Sequence, residues 1–170
     1  MTETMTSPKF DRAARLAVVQ ALYEIDVTDA PLERVLDTFA EKRWETLEAE
    51  LAPESEYEDG ELVVLPIPDQ KRLRAIVRGT LAHQSEIDEK IKAQLETAEA
   101  FEQLEALSRV ILRAAAHELI EAPKVPTGTI VSAYVSIAHA FFTENQPRLI
   151  NAVLDSLARE IRGAGGDGAG

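Results

Sequence analysis

The chain has 170 residues, no cysteine and a formal net charge of -12, with 45% hydrophobic and 28% charged residues. These values fit one soluble globular domain, or two small bundles that share a core, and they exclude disulfides and thiolate chemistry. No apolar run reaches the roughly 18 residues of a membrane-spanning helix, and the start MTETMTSP lacks the pattern of a signal peptide. We therefore expect a cytoplasmic location and no membrane contact.

The negative charge is unevenly distributed. Seven acidic residues and no basic residue lie between Glu48 and Glu61, a composition that indicates a solvated acidic loop. Because salt screens electrostatic fields beyond about 10 Å, a basic patch elsewhere can still attract phosphate at short range.

Helix signals dominate the first part of the chain. After a flexible arm over residues 1–8, Ser7-Pro8 forms the preferred start of a helix that is expected to end near Asp26. A second helix is predicted from Leu32 to about Leu51. The segment 52–68 contains the apolar letters LVVL between prolines, and we interpret it as an apolar loop rather than a strand.

The second part of the chain is also predicted to be helical. Helices are expected from about Asp69, from Ser85 to Leu95, as one central apolar helix over 101–122, from Thr129 to Thr143, and from Pro147 to Arg162. The Gly-rich segment 163–170 is predicted to be a disordered tail. The fold class is therefore all-α, with about seven amphipathic helices in a bundle.

Catalytic and metal-binding signals are weak. His117-Glu118 begins an HE pair, but residue 121 is Glu, so the HExxH zinc motif is absent. His83 and His139 are far apart in the sequence, and there is no Gly-rich phosphate loop. We therefore expect no enzymatic activity, no metal and no cofactor.

The first helix carries two contrasting stripes. At 100° per residue, one face gathers small and apolar side chains, and the opposite face gathers Lys9, Arg12, Leu16, Gln20 and Tyr23, with Arg15 at its edge. One interpretation is that Leu16 and Tyr23 pack under a second helix or a loop. The other is a cationic and aromatic surface for single-stranded RNA, in which cations hold phosphates and rings stack on bases.

The last predicted helix repeats this arrangement. Arg148, Asn151, Asp155, Arg159 and Arg162 share one stripe, opposite a row of apolar residues. Such a stripe is normally a solvent face, but an asparagine among arginines can also recognise a base edge.

These segments resemble the NusB transcription antitermination family. The resemblance is carried by DRAARLAVVQALYEID for its first helix, FEQLEALSRVILRAAAHELIEAPKVP for its central helix and LINAVLDSLARE for its last helix. The segment LRAIVRGTLAHQSEIDEKI is similar over much of the middle of the chain, and SAYVSIAHAFFTENQP resembles the alphaproteobacterial variant.

The resemblance implies a NusB-like domain over 9–162, with an N-terminal subdomain of about 9–83 and a C-terminal subdomain of about 84–162. It implies binding of boxA-type single-stranded RNA together with NusE, a small-subunit ribosomal protein, within an RNA polymerase antitermination complex. A monomer or weak homodimer is expected. The implied RNA-binding residues are Lys9, Arg12, Arg15, Gln20, Tyr23, Asn145, Arg148 and Asn151, and the implied partner-binding residues are Ser108, Arg109 and Arg113.

Two alternatives remain open from the residues. Asp11, Ala13 and Ala14 dilute the basic run that the family carries at its N-terminus, which favours a protein-interaction scaffold with little intrinsic RNA binding. The other alternative is the NusB-like domain of an RNA methyltransferase, which normally precedes a catalytic domain, whereas here a Gly-rich tail follows the bundle.

Overall fold

The computed structural model describes residues 8–41, 70–143 and 145–163. Within these ranges the chain forms eight α-helices and no strand. We number them α1 (Pro8–Thr28), α2 (Leu32–Glu41), α3 (Gln70–Ala82), α4 (Gln84–Lys92), α5 (Ala98–Gln103), α6 (Ala106–Glu121), α7 (Thr127–Phe141) and α8 (Asn145–Arg162). The all-α prediction is confirmed. The predictions for 1–7, 42–69 and 164–170 lie outside the described residues, and they include the second half of the helix predicted from Leu32 to about Leu51 and the acidic loop over 48–61.

The chain divides into two compact units, Met1–Ala75 and Ile76–Gly170, and the division falls within α3. The subdomain limits of about 9–83 and 84–162 stay a prediction.

In the first unit, α1 packs against α2. The alanine-rich face of α1 is buried as its periodicity predicts, and Val35 and Leu36 of α2 are buried as well. Arg74, at the start of α3, contacts Asp37 at 2.9 Å and Glu33 at 3.5 Å. These two carboxylates are well exposed, so the contacts add little to stability.

In the second unit, α6 is the central helix and packs against α4, α7 and α8. Every residue from Val110 to Leu119 is buried, which confirms the prediction that this helix is central. Helix α8 buries one side through Ile150, Val153, Leu154 and Leu157. It ends at Gly163, whose φ of 82° is the left-handed conformation that glycine adopts at helix ends.

The predicted single helix over 101–122 is wrong in its boundaries. It is divided into α5 and α6, because Leu104 and Glu105 adopt extended conformations with ψ of 146° and 147°. Thr97 caps α5 by accepting a hydrogen bond from the Ala100 N–H at 3.2 Å. This extra short helix explains why the described residues already hold more helices than the seven predicted.

Candidate nucleic-acid interface

Helix α1 presents two of the predicted RNA-binding side chains. Tyr23 is 37% exposed and Gln20 is half-buried, while Ala17, Val18 and Ala21 on the opposite side are at most 1% exposed. Lys9 and Arg12 lie on the helix, but their side chains are outside the described set. The aromatic ring and the amide are therefore available for stacking on a base and for hydrogen bonding.

Arg15 and Leu16 differ from the predicted stripe. Arg15 is only 3% exposed and has an interaction within the protein, and Leu16 is 4% exposed. The prediction that Arg15 lies at the edge of an exposed face is wrong, because its long side chain is covered. The burial of Leu16 agrees with the packing interpretation, whereas Tyr23 is exposed and does not.

Helix α8 presents the other predicted group. Asn145, Arg148 and Asn151 are all exposed, and they lie three residues apart along the first half of the helix. Pro147, between them in sequence, is buried and has no N–H that the first helical turn must satisfy. Arg148 is exposed and forms no ion pair within the described residues. The positive end of the helix dipole adds to its attraction for anions.

Arg162 does not belong to this exposed group. Its guanidinium donates to the carbonyls of Leu119 at 3.0 Å, Val125 at 2.6 Å and Ala122 at 2.8 Å, and to the Thr127 hydroxyl at 3.2 Å. It therefore ties the end of α8 to the junction between α6 and α7. Charge patterning alone placed Arg162 on the solvent stripe, and no local signal reveals this role.

The predicted partner-binding residues lie mainly inside the second unit. Ser108 is fully buried and donates to the Gln146 side chain at 3.2 Å. Arg109 is half-buried and donates to the Leu104 carbonyl. These contacts connect α6 to the start of α8 and to the α5–α6 junction, so both side chains have structural partners.

Arg113 forms a buried ion pair rather than an exposed contact. Its Nε and Nη2 donate to the two carboxylate oxygens of Asp88 at 2.7 and 3.0 Å, and its guanidinium lies 5.6 Å from the Phe101 ring centre. The residue is 7% exposed. The prediction that Ser108 and Arg113 offer side chains to a partner is wrong in this respect, because both are covered by neighbouring helices.

Two histidines stack at the contact between α3 and α6. The His83 and His117 ring centres are 6.3 Å apart with an interplanar angle of 18°. Burial lowers the pKa of His117 below the ordinary 6.5 and His83 lowers it further, while Glu121 and Glu118 act in the opposite direction. A Cβ on Gly79 would lie 2.5 Å from the Cε1 atom of His117, so this close helix contact requires glycine.

A buried polar pair was not foreseen from the sequence. The Tyr134 hydroxyl of α7 donates to the Glu118 carboxylate of α6, and both residues are at most 2% exposed. Helical spacing predicted only that Tyr134 lies on an apolar stripe. Its hydroxyl needs a buried acceptor, and Glu118 provides it.

The described ranges hold neither a metal-ligand cluster nor a membrane-spanning helix. No group of three or more His, Asp or Glu side chains there could hold a metal ion. No described helix is both long enough and apolar enough to cross a membrane.

Comparison with known proteins gives consistent matches. The model of the NusB family matches residues 12–159. The chain is 40% identical to a transcription antitermination protein NusB of Allorhizobium ampelinum, over 88% of this chain and 86% of that protein. It is 36% identical to a protein of the same name from Novosphingobium aromaticivorans, over 94% and 99% of the two chains.

Two solved structures share the fold. T. maritima NusB matches with a TM-score of 0.65 and 26% identity, over 92% of this chain and 94% of that one. A structure of antitermination factors NusB and NusE in complex with dsRNA matches with a TM-score of 0.64 over 89% and 97%. Because its identity is 18%, that second match supports the fold alone.

Proposed function

The chain belongs to the NusB family, as its resemblance predicted, and we propose that it is a transcription antitermination factor that binds boxA-type RNA jointly with a NusE partner. The observation that carries this proposal is the exposed group on α8, where Arg148 lies between Asn145 and Asn151. In a chain of net charge -12, an exposed cation flanked by amides offers phosphate binding and base recognition at one place.

Helix α1 contributes a second RNA-binding group under this proposal. Tyr23 provides a ring for stacking, Gln20 an amide, and Lys9 and Arg12 supply cations. Arg15 is removed from the predicted set because it is buried. With fewer exposed cations than the sequence suggests, the free protein binds RNA weakly, and the NusE partner completes the binding surface.

The proposal assigns no catalysis to the chain and places it in the cytoplasm, where it joins an RNA polymerase complex as a monomer or weak homodimer. Support for the absence of catalysis comes from the sequence, which lacks the HExxH spacing and a Gly-rich phosphate loop. Stoichiometric zinc in protein purified without added metal, lost together with folding on chelation, would contradict this part.

The test compares two variants of α8 in RNA-binding titrations with NusE present. The double variant Arg148→Ala/Asn151→Ala is expected to weaken binding and to flatten its log–log salt dependence by about 0.7, because one phosphate of a single strand is no longer neutralised. Arg159→Ala is the matched control, because Arg159 is exposed on the same helix but lies outside the group. Single-stranded and duplex boxA probes are compared in parallel.

A second candidate function is a protein-interaction scaffold with little RNA affinity. The observation that favours it is the burial of Arg15, which removes one of the three cations that the N-terminal segment was expected to offer. If the double variant binds RNA as tightly as the wild type at the same salt concentration, the scaffold becomes the better explanation.

A further inference from the structure

An exposed aromatic ring lies at the end of α7, just before α8 begins. Ile130, Tyr134 and Ile137 follow one another at helical spacing along the buried side of α7, and they are at most 1% exposed. Phe141 continues the same spacing but is 42% exposed. Since apolar residues at this spacing form the face that a helix turns to the core, the open ring is an exception within α7.

The short connection between the two helices keeps this ring near the proposed RNA-binding group of α8. Asn145 is the first residue of α8 and follows Phe141 by four residues, so their Cα atoms lie at most about 14 Å apart. Helices α7 and α8 also pack against each other. The exposed side chains of Phe141, Asn145 and Arg148 therefore belong to the same end of this helix pair.

The sequence around the ring carries little negative charge. Helix α7 contains no Asp or Glu. Over residues 127–151 the one acidic residue is Glu144, which lies outside the described residues, and Arg148 balances its charge. The segment 94–105 of the same unit instead carries four glutamates and no basic residue. An RNA strand is therefore repelled less at the α7–α8 connection than beside α5.

An aromatic ring is the component that the α8 group lacks for binding a single strand. Proteins bind single-stranded RNA by combining cations that hold phosphates with rings on which bases stack. The proposed group of α1 has both, since Tyr23 accompanies Lys9 and Arg12. The group of α8 has Arg148 and two amides, and Phe141 supplies a ring beside them.

We propose that Phe141 is a base-stacking residue, against which one unpaired base of the RNA packs while Arg148 holds a nearby phosphate. The inference rests on the proposed function and adds one residue to its RNA-binding set. Stacking requires no particular base, because every base has a π-face. Phe141 therefore contributes affinity for a single strand, and recognition of the sequence belongs to the amides of Asn145 and Asn151.

The experiment titrates a single-stranded boxA oligonucleotide with the full-length chain in the presence of NusE, at several salt concentrations. Phe141→Ala is expected to weaken binding about tenfold, because the stacking of one base is lost. The log–log salt slope should stay that of the wild type, since no phosphate contact is removed. Phe141→Trp keeps an aromatic ring and should bind within about twofold of the wild type.

The matched control is Ile120→Ala. Ile120 is also an exposed apolar residue of the second unit, but it lies near the start of α7, and the 15 residues of α7 span roughly 22 Å. This variant should bind within about twofold of the wild type.

A second set of titrations uses oligonucleotides that lack one base at a time. At the position that stacks on Phe141, removal of the base and Phe141→Ala act on the same interaction, so their effects on affinity should not add.

The outcomes separate this inference from the proposed function. If the wild type binds RNA and Phe141→Ala binds equally tightly, or if the two effects add at every position, base stacking is overturned while the proposed function stands. If the wild type binds no RNA, both fail. If Phe141→Ala weakens the binding of NusE without RNA, or changes only self-association in ultracentrifugation, the ring contacts a protein and the inference is overturned.

Discussion

Gly79 of α3 and His117 of α6 lie in close contact. A Cβ at position 79 would lie 2.5 and 2.7 Å from the Cε1 and Nε2 atoms of His117, so the imidazole would have to move within a buried site. We expect Gly79→Ala to lower the free energy of unfolding by about 1–3 kcal/mol, as overpacking does. Urea denaturation measures this change.

Gly128→Ala is the matched control, since nothing lies within 4 Å of a Cβ at that position in α7. A helical glycine replaced by alanine without a clash should gain about 0.5–1 kcal/mol. If Gly79→Ala and Gly128→Ala changed the free energy of unfolding equally, the contact with His117 would not be the cause of the Gly79→Ala effect.

The lowered pKa of His117 predicts a specific pH dependence of stability. Above the unfolded value of 6.5 the imidazole is neutral in both states. As the pH falls below 6.5, the unfolded chain takes up the proton first, so stability is lost until the pH passes the lowered folded pKa. We expect the unfolding midpoint to fall between pH 6.5 and roughly pH 5, where most carboxylates are still charged.

His117→Gln should reduce the fall of the unfolding midpoint at low pH. His139→Gln, at an exposed position, should show the same fall as the wild type. Thermal melts over this range make the comparison. An unchanged pH profile in His117→Gln would contradict the assignment.

Single residues also mark the limit of sequence-based prediction. Periodicity correctly placed the alanine face of α1 in the core and Arg148 and Asn151 on a surface. It failed for Arg15, which is charged but buried, and the resemblance that implied a partner contact for Arg113 gave no sign that this residue is buried as well. The acceptor of Arg113 is Asp88, 25 residues earlier on another helix, and helical spacing within one segment carries no information about such a partner.

The ion pair between Arg113 and Asp88 joins α4 to α6. Its two hydrogen bonds measure 2.7 and 3.0 Å, and its members are largely buried, with 8% and 15% of the side-chain surface exposed. Removal of one partner leaves an uncompensated charge, so Arg113→Ala should cost about 3–5 kcal/mol of the free energy of unfolding.

Arg74→Ala provides the comparison for an exposed ion pair, and we expect it to cost about 1 kcal/mol or less. Both values come from chemical denaturation. An effect at Arg113 as small as that at Arg74 would show that the buried pair is not a structural element and would restore Arg113 as a candidate docking residue.

The Arg162 contacts fix the junction of α6 and α7 to the end of α8. Without this guanidinium, the carbonyls of Leu119, Ala122 and Val125 have one donor fewer. Arg162→Ala should therefore cost about 1–3 kcal/mol and increase hydrogen exchange in the 122–129 junction.

Arg159→Ala removes the same charge one helical turn earlier from an exposed position, and its effect should stay within about 0.5 kcal/mol. If hydrogen exchange in the 122–129 junction were equally fast in Arg162→Ala and Arg159→Ala, the Arg162 hydrogen bonds would not be what holds this junction.

The boundaries of the elements show why the number of helices is harder to predict from the sequence than the helical character of each segment. The apolar spacing continues through residues 101–122, so the pattern alone indicates one helix. The chain nevertheless turns at Leu104, which is 9% exposed, and the Arg109 guanidinium donates to the Leu104 carbonyl. These contacts depend on tertiary packing, which overrides a continuous local pattern.

At the scale of the whole molecule, the family can be predicted from three helical segments, because they carry its motifs in order. The match of the family model over residues 12–159 confirms this prediction. The binding surfaces are less predictable, since they depend on which charged residues the fold leaves exposed. Net charge illustrates this limit. A chain with a net charge of -12 still has an exposed cation at Arg148, which lies beside the amides of Asn145 and Asn151.

Joint binding of boxA RNA by this acidic chain and NusE is tested most directly by one measurement, the dissociation constant for a boxA oligonucleotide with and without saturating NusE at one salt concentration. We expect weak binding by the free chain and binding at least about tenfold tighter with NusE, a coupling of roughly 1.4 kcal/mol. The affinity of NusE alone for the same oligonucleotide should be too low to explain the tighter binding. Equal affinities with and without NusE, or no binding in either case, would contradict joint recognition.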